Sequence, residues 1–290
     1  MRFSRDAEGA GWRFETDAMQ GLLDPMGARH GIKSLTHRAT GLDVVHEDYD
    51  LLNLFLLFAQ NRCMGAARDY EREVEVDGDR LTVTWPANET HQAELVAEYE
   101  LSGPDTIDLA ITVRSEWPYP KYEVFLSNYF NVAMDPRVYL QQCPYVEPPD
   151  EPQWTAPAAS DVFAGTGLVF PRDFHAARNS VDGRWTGIWA LYQWNPQRMY
   201  ELPICMMVDE RSRVAAVLMS RPDDCYAVVT GYANAHPDDP FGNQNPMYLS
   251  LFGEDLSPGD ERTARVRLAV IELDDAMQRP LEVYDAFVAE

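Results

Sequence analysis

From Ile107 to Val132 the chain is written with a period of two. Ile107, Leu109, Ile111 and Val113 alternate with Asp108, Thr112 and Arg114, the pattern of a strand that buries one face. Trp117-Pro118-Tyr119-Pro120 interrupts it, because proline cannot donate to a central ladder. A second strand of the same sheet is then expected. Its even positions, Tyr122, Val124, Leu126, Asn128, Phe130 and Val132, are mostly apolar and read as core. Its odd positions, Glu123, Phe125, Ser127, Tyr129 and Asn131, alternate rings with hydrogen-bonding groups. Such a face is either an ordinary solvent face or a ligand face. The ligand it suits is a sugar, whose C–H surface lies on a ring while its hydroxyls need fixed donors and acceptors.

The rest of the chain repeats the strand pattern. Trp12–Thr16, Ile32–Thr36, Glu71–Val76, Arg80–Trp85 and Glu94–Leu101 read as strands, and Asp77-Gly78 is the turn pair of a tight hairpin. Gly167–Phe170, Gly187–Trp194, Ile204–Val208, Val214–Ser220, Tyr226–Tyr232, Tyr248–Phe252 and Thr263–Ile271 follow. Asp50–Gln60 carries apolar residues at helical spacing but reads almost as well as a buried strand. Gln142–Ala159, with five prolines, and Gly231–Pro246 read as long loops. Pro280–Val288 is a helix, with Pro280 in its first turn and Leu281, Tyr284 and Phe287 on one stripe. About a dozen strands, little helix and no composition shift predict an all-β fold. We expect one large antiparallel β-supersandwich with few short helices, spanning residues 1–290 as a single domain.

Charge narrows the partners. The chain holds 47 acidic and 24 basic residues, a net charge of −23, and its only lysines are Lys33 and Lys121. A nucleic acid or an anionic membrane would be repelled. The four cysteines, Cys63, Cys143, Cys205 and Cys225, are widely spaced without a Cys-x-x-Cys. No metal site and no cofactor are expected, and no Gly-rich phosphate loop precedes a helix. The N-terminus carries no apolar secretory segment, and the longest apolar run, Leu51–Ala59, is too short to span a bilayer. A cytoplasmic protein is expected, with its oligomeric state left open.

Acid–base work needs a group that titrates near neutrality. Among the six histidines, His91 precedes a strand, His175 lies in the polar loop Pro171–His175, and His236 lies in the second long loop. Each is a surface or structural histidine, or the group that moves a proton. Arg62 and Arg68 flank Cys63-Met64-Gly65, and Arg184 enters a Trp-rich strand. Their planar forks suit a carboxylated sugar, or else pair with an aspartate to hold a loop. Tyr192 and Trp194 share a face and can stack on a sugar. Glu123 is the acid on the proposed ligand face, and Glu254 ends a strand.

With these pieces in order, the chain resembles the galactose mutarotase-like superfamily, of which it reads as a divergent member. The likeness rests on His30-Gly31 before Ile32, on Asn128-Tyr129-Phe130-Asn131 at the end of a central strand, on the late turn Leu256, Pro258, Gly259, Asp260, and loosely on Gln60-Asn61-Arg62. It implies a large supersandwich with a sugar site on the concave sheet. It also implies a histidine two residues before the Tyr-Phe-Asn signature, where this chain has Ser127, and a glutamate base before the late turn, where Cys225–Gly253 contains none. The expectation is therefore a carbohydrate-active protein of epimerase, isomerase or lyase type. In it His91, His175 or His236 moves the proton and Tyr129 assists, while Arg62, Arg68, Glu123, Arg184, Tyr192 and Trp194 hold the substrate. The alternative is a non-catalytic carbohydrate-binding protein.

Overall fold

The structure is a computed structural model. It describes the chain apart from residues 8, 10, 61, 142–151, 158–165, 181–192, 197 and 232–243, and apart from the side chains of 166, 178–180 and 193–196. Five short strands come first: β1 (Phe3–Arg5), β2 (Trp12–Glu15), β3 (Met19–Asp24), β4 (Gly31–His37) and β5 (Leu42–Asp43). Next are β6 (Asn53–Ala59), β7 (Arg62–Gly65), a 3-10 turn at Ala67–Asp69, and β8 (Glu73–Asp77), β9 (Arg80–Trp85), β10 (Ala93–Glu100), β11 (Thr106–Ser115) and β12 (Tyr119–Tyr129). Then come β13 (Asp135–Leu140), β14 (Gln153–Thr155), β15 (Thr166–Pro171), helix α1 (Phe174–Ser180) and β16 (Gln193–Pro196). The chain closes with β17 (Tyr200–Asp209), β18 (Val214–Ser220), β19 (Cys225–Gly231), β20 (Pro246–Leu256), β21 (Glu261–Glu272) and helix α2 (Arg279–Ala289).

The strands form three sheets. A five-stranded meander runs β1-β2-β3-β4-β5, a nine-stranded sheet runs β14-β13-β17-β18-β21-β11-β10-β9-β8, and a seven-stranded sheet runs β16-β15-β19-β20-β12-β6-β7. Among the described strands only β15 and β16 pair in parallel. The two larger sheets share one apolar core, fed by Leu95, Ala97, Tyr99, Leu109 and Ile111 from one side and by Leu54, Leu57, Tyr122, Val124 and Leu126 from the other. Polar bonds cross it: Tyr99 Oη donates to the Leu52 carbonyl at 2.9 Å and Tyr200 Oη to the Cys225 carbonyl at 2.5 Å. The antiparallel supersandwich expected from the alternation is the observed architecture.

Several local expectations change. Residues 107–132 do not lie in one sheet: β11 pairs with β10 and β21, whereas β12 pairs with β20 and β6. The proline break is the point where the chain crosses between layers, and the crossing is marked by Lys121 at φ 53° and a register shift at Tyr119–Glu123. Asn53–Ala59 is a strand, not a helix, since β12 and β7 take both its edges and apolar side chains fill both its faces. Inside the proline-rich segment Gln153–Thr155 pairs with β13; residues 142–151 and 158–165 lie outside the described residues. Around His175 there is a short helix rather than a loop, because Asp173 Oδ1 accepts the Ala176 N–H at 2.8 Å and starts it. Gly78 turns the β8–β9 hairpin at φ 64°.

The outward side of β17, β18 and β21 is closed by α2. Tyr284 and Phe287 pack against Ile204, Met206, Val217, Met219 and Ile271. At the helix end Arg267 grips Asp108 at 2.6 and 2.7 Å and Glu290 at 2.7 Å, its guanidinium 4.9 Å from the Phe287 ring centre. No helix among the described residues is long and apolar enough to cross a membrane.

Candidate ligand face

The period of two in β12 sends Tyr122, Val124, Leu126 and Phe130 into the core, and Phe125 and Tyr129 into a second cluster on the outward side of the seven-stranded sheet. Asn128 pins the strand end: its Oδ1 accepts the Leu52 N–H at 2.8 Å and its Nδ2 donates to the Met247 carbonyl at 3.3 Å. That double tie sets the direction in which Tyr129 projects. The second cluster gathers Phe55, Leu56, Phe58, Phe125, Tyr226, Val229 and Tyr248, with Ala176 of α1 packed into it and Tyr129 at its margin. Glu123, Ser127 and Ser250 are buried there too, at 2%, 0% and 4% exposure. The face is therefore mixed, as its sequence implies, but its middle is covered.

Glu123 and Tyr129 stand at opposite ends of this face, roughly 20 Å apart by the rise of a strand, so they cannot serve one reacting atom. Around Glu123 lie Phe58, its cross-strand neighbour, and Cys63, whose thiol is pushed up by burial and by the Glu123 charge. Arg62 is exposed beside it on β7, and His175 on α1 is exposed with Nε2 2.8 Å from Lys121 Nζ.

At the other end the Tyr129 and Tyr248 hydroxyls are 3.0 Å apart. Tyr248 stacks on Phe125 at 4.7 Å, and Tyr49 stacks on Tyr129 at 4.3 Å. The Arg29 guanidinium lies 4.0 Å from the Tyr49 ring centre and Arg68 lies 5.0 Å from that of Phe55. Burial pushes the Tyr129 phenol up, while the hydrogen bond from Tyr248 and the Arg68 and Arg29 charges pull it down. His46 donates its main-chain N–H to the Tyr129 carbonyl at 3.0 Å and packs edge-on to Tyr49 at 5.1 Å. Its Nδ1 accepts the Asp48 N–H at 3.0 Å, which puts the ring proton of the neutral imidazole on Nε2. A groove of about 730 Å³ adjoins this end, lined by Lys33, His46, Tyr49, Asn131 and Gln244 but not by Tyr129, Tyr248, Arg29 or Arg68, and Gln244 Nε2 donates to Tyr49 Oη at 2.9 Å.

The proposed site residues thus divide. Tyr129 and Arg68 meet at one end, and Glu123, Arg62 and His175 at the other. His91 is on neither: it is fully buried, its Nε2 3.0 Å from Tyr122 Oη, and it is stacked between the sheets near Tyr70 and Tyr119. Burial holds it down to about 4, so it stays neutral at pH 7. His236, Arg184 and Tyr192 lie outside the described residues, as does the side chain of Trp194. Glu254 is exposed and pairs with Arg262 at 3.5 Å. Among the described residues no group of three or more His, Cys, Asp or Glu side chains is placed to hold a metal ion. Sequence reasoning passed over Tyr248, Tyr49, His46 and Arg29. Tyr248 was findable as an outward-facing ring on a recognised strand. The other three sit in loops with no period, and only folding brings them to Tyr129.

No family model and no curated protein matches the chain. Solved structures do. A galactose mutarotase related enzyme from Lactobacillus acidophilus aligns over 92% of this chain and 99% of its own, with a TM-score of 0.54 at 12% identity. A putative aldose 1-epimerase from Escherichia coli K12 aligns over 91% and 99%, with a TM-score of 0.54 at 10% identity. An α-N-acetylgalactosaminidase from Bifidobacterium bifidum, in complex with GalNAc, aligns over 96% of this chain and 38% of its own, with a TM-score of 0.54 at 10% identity. At these identities the likeness is one of fold.

Proposed function

We propose that this chain, folded as a galactose mutarotase-like β-supersandwich, binds a sugar at the Tyr129 end of its concave sheet and moves a proton on it. The observation that carries the reading is the Tyr129–Tyr248 hydroxyl pair, 3.0 Å apart and framed by stacked rings. A phenol pair of this kind can pass a proton from one hydroxyl to the other while a ring-shaped ligand is held in place. The His46 imidazole lies beside Tyr49, with Asn131 and Gln244 lining the same groove to read hydroxyls. The structural neighbours include enzymes named for aldose epimerisation, which favours anomeric or adjacent-carbon proton transfer over other sugar chemistry.

One observation favours the second reading, a binding protein without turnover. Ser127, which stands where the resembling family carries its acid, is fully buried, and its Oγ is 3.5 Å from the Asn53 carbonyl. It cannot donate a proton to a ligand. Proton NMR of sugars incubated with the protein separates the two readings. Conversion that is lost in Tyr129→Phe and Tyr248→Phe supports catalysis at this end. Thermal stabilisation by a sugar with an unchanging spectrum supports binding alone, and no response to any sugar ends both.

A further inference from the structure

We infer that Lys121 is a reactive amine that condenses with an aldehyde, with His175 as its base. The pair stands at the Glu123 end of the ring-bearing face, away from Tyr129, and does not rest on the sugar reading. Lys121 Nζ lies 2.8 Å from His175 Nε2. An ammonium only donates, so Nε2 is the acceptor and the ring proton of this neutral imidazole sits on Nδ1. Among the described residues Nζ makes no ion pair, although Glu123, Asp173 and Asp255 lie on the strands and helix around it. In a chain of 47 acidic residues, an imidazole and not a carboxylate thus faces one of the two lysines. A nucleophile and a base within hydrogen-bond reach form the arrangement that activates an amine.

Both partners are placed by their backbones. Lys121 takes φ 53°, which a residue other than glycine rarely adopts, where β12 slips register between Tyr119 and Glu123. Asp255 Oδ1 accepts its N–H at 2.9 Å, and the Gln60 N–H holds the preceding Pro120 carbonyl at 2.8 Å. Strain of this kind persists only where the surroundings impose it, and it gathers at functional sites. On the other side, Asp173 starts α1 and Ala176 packs into the ring cluster, which leaves His175 on the exposed side of the helix. In the reaction Nε2 takes one Nζ proton, and the freed lone pair bonds to the aldehyde carbon. The C=O π pair moves to oxygen, and a second Nζ proton passes to that oxygen to make the carbinolamine. The imidazolium then returns its proton to the hydroxyl, which leaves as water while C=N forms. Nothing is oxidised or reduced, and one water is released for each imine.

Timed incubation of the full chain with glyceraldehyde, quenched with borohydride and mapped by peptide mass spectrometry, tests this. Borohydride turns the imine into a stable secondary amine that marks the lysine. Lys33 is the internal reference. It is exposed whereas Lys121 is half-buried, so accessibility alone would label Lys33 first. The expected result is the reverse, with Lys121 labelled at least about fivefold faster than Lys33, a small part of what a positioned base supplies. His175→Gln keeps a hydrogen-bonding group but no base, and should bring Lys121 down to the Lys33 rate or below. An unchanged Lys33 rate and an unchanged melting curve show that this variant is folded. Equal labelling of the two lysines, faster labelling of Lys33, or a Lys121 rate that survives His175→Gln overturns the inference.

Discussion

Two apolar clusters lie on the outward faces of the two large sheets, and they are built differently. Over β17, β18 and β21 the cluster is almost wholly aliphatic and is sealed by α2 through Tyr284 and Phe287. Over β6, β12 and β20 the cluster mixes rings with Glu123, Ser127 and Ser250, and its margin carries hydroxyls and guanidinium groups stacked on rings. Burial alone does not separate the two, since both are closed to solvent at their centres. What separates them is whether polar groups remain that folding does not use. The helix-sealed face spends Arg267 on Asp108 and Glu290. The ring-bearing face leaves Arg29 and Arg68 without an ion pair among the described residues, each over a ring instead.

Breaking the sealed face has the largest expected effect. Phe287→Ala should cost about 4 kcal/mol of stability, the range for deleting a buried ring, and should leave any sugar affinity of the folded protein unchanged. Denaturant titration beside ligand titration checks both halves, and lost affinity with intact folding would contradict the separation. Acid should then act first on β6 and β12, through the buried histidines that touch them. His30 is held down to about 3 and His91 to about 4, in both cases chiefly by burial. A depressed imidazole adds stability that is fully present above pH 6.5 and is lost as the pH falls toward the folded value. Each histidine should therefore lose about 2 kcal/mol between pH 6.5 and 5, at 1.36 kcal/mol per unit. Asp50 works the other way. Burial, and after it the Asp24 charge, pushes it up to about 6, so its contribution is present below pH 3.8 and is lost as the pH rises through 6. His30 Nε2 accepts the Leu54 N–H and His91 touches Tyr122. Hydrogen exchange at pH 7 and pH 5 should accordingly show β6 and β12 losing protection before β17 and β18, whereas uniform loss would refute this.

Smaller effects sharpen the contrast. Tyr248→Phe deletes one partner of the phenol pair and should cost only about 1 kcal/mol of stability, yet it should lower sugar turnover at least tenfold in an NMR time course. Arg114→Ala removes a guanidinium that bonds Glu94 and Glu261 on the exposed outer face of β11. Exposed pairs of this kind contribute about 0.2–1 kcal/mol, so melting should shift little and ligand affinity not at all. A ligand effect there would mean that the outer face of the nine-stranded sheet is functional.

Strand positions and faces were legible in the sequence wherever a period of two was clean. β9, β10 and β11 lie where their alternation puts them, β12 does so only as far as Tyr129, so that Val132, expected in the core, is exposed, and Pro280 sits in the first turn of the last helix. The Asp50–Gln60 segment was ambiguous because a strand buried on both faces has no period to show. Sheet membership was not legible either: β11 and β12 adjoin in sequence but pair in different sheets, a matter of which edges are free and not of local pattern. Of the site, Tyr129 was legible because it sits on a recognised strand face, and Arg68 only as an arginine flanking Cys63-Met64-Gly65. His46, Tyr49 and Arg29 were not, since they reach Tyr129 from loops some 80 to 100 residues away in the chain.

The alternation of side chains thus determined that this protein is a β-supersandwich with one mixed face, because periodicity and burial are local properties of a strand. Only the tertiary structure decided which side chains meet at each end of that face. That depends on which loops close over it, which arginines find carboxylates elsewhere, and which histidines the core takes for itself. His91 makes the point: in sequence it is a polar residue before a strand, and in the fold it is a neutral imidazole buried beside Tyr122 between the sheets.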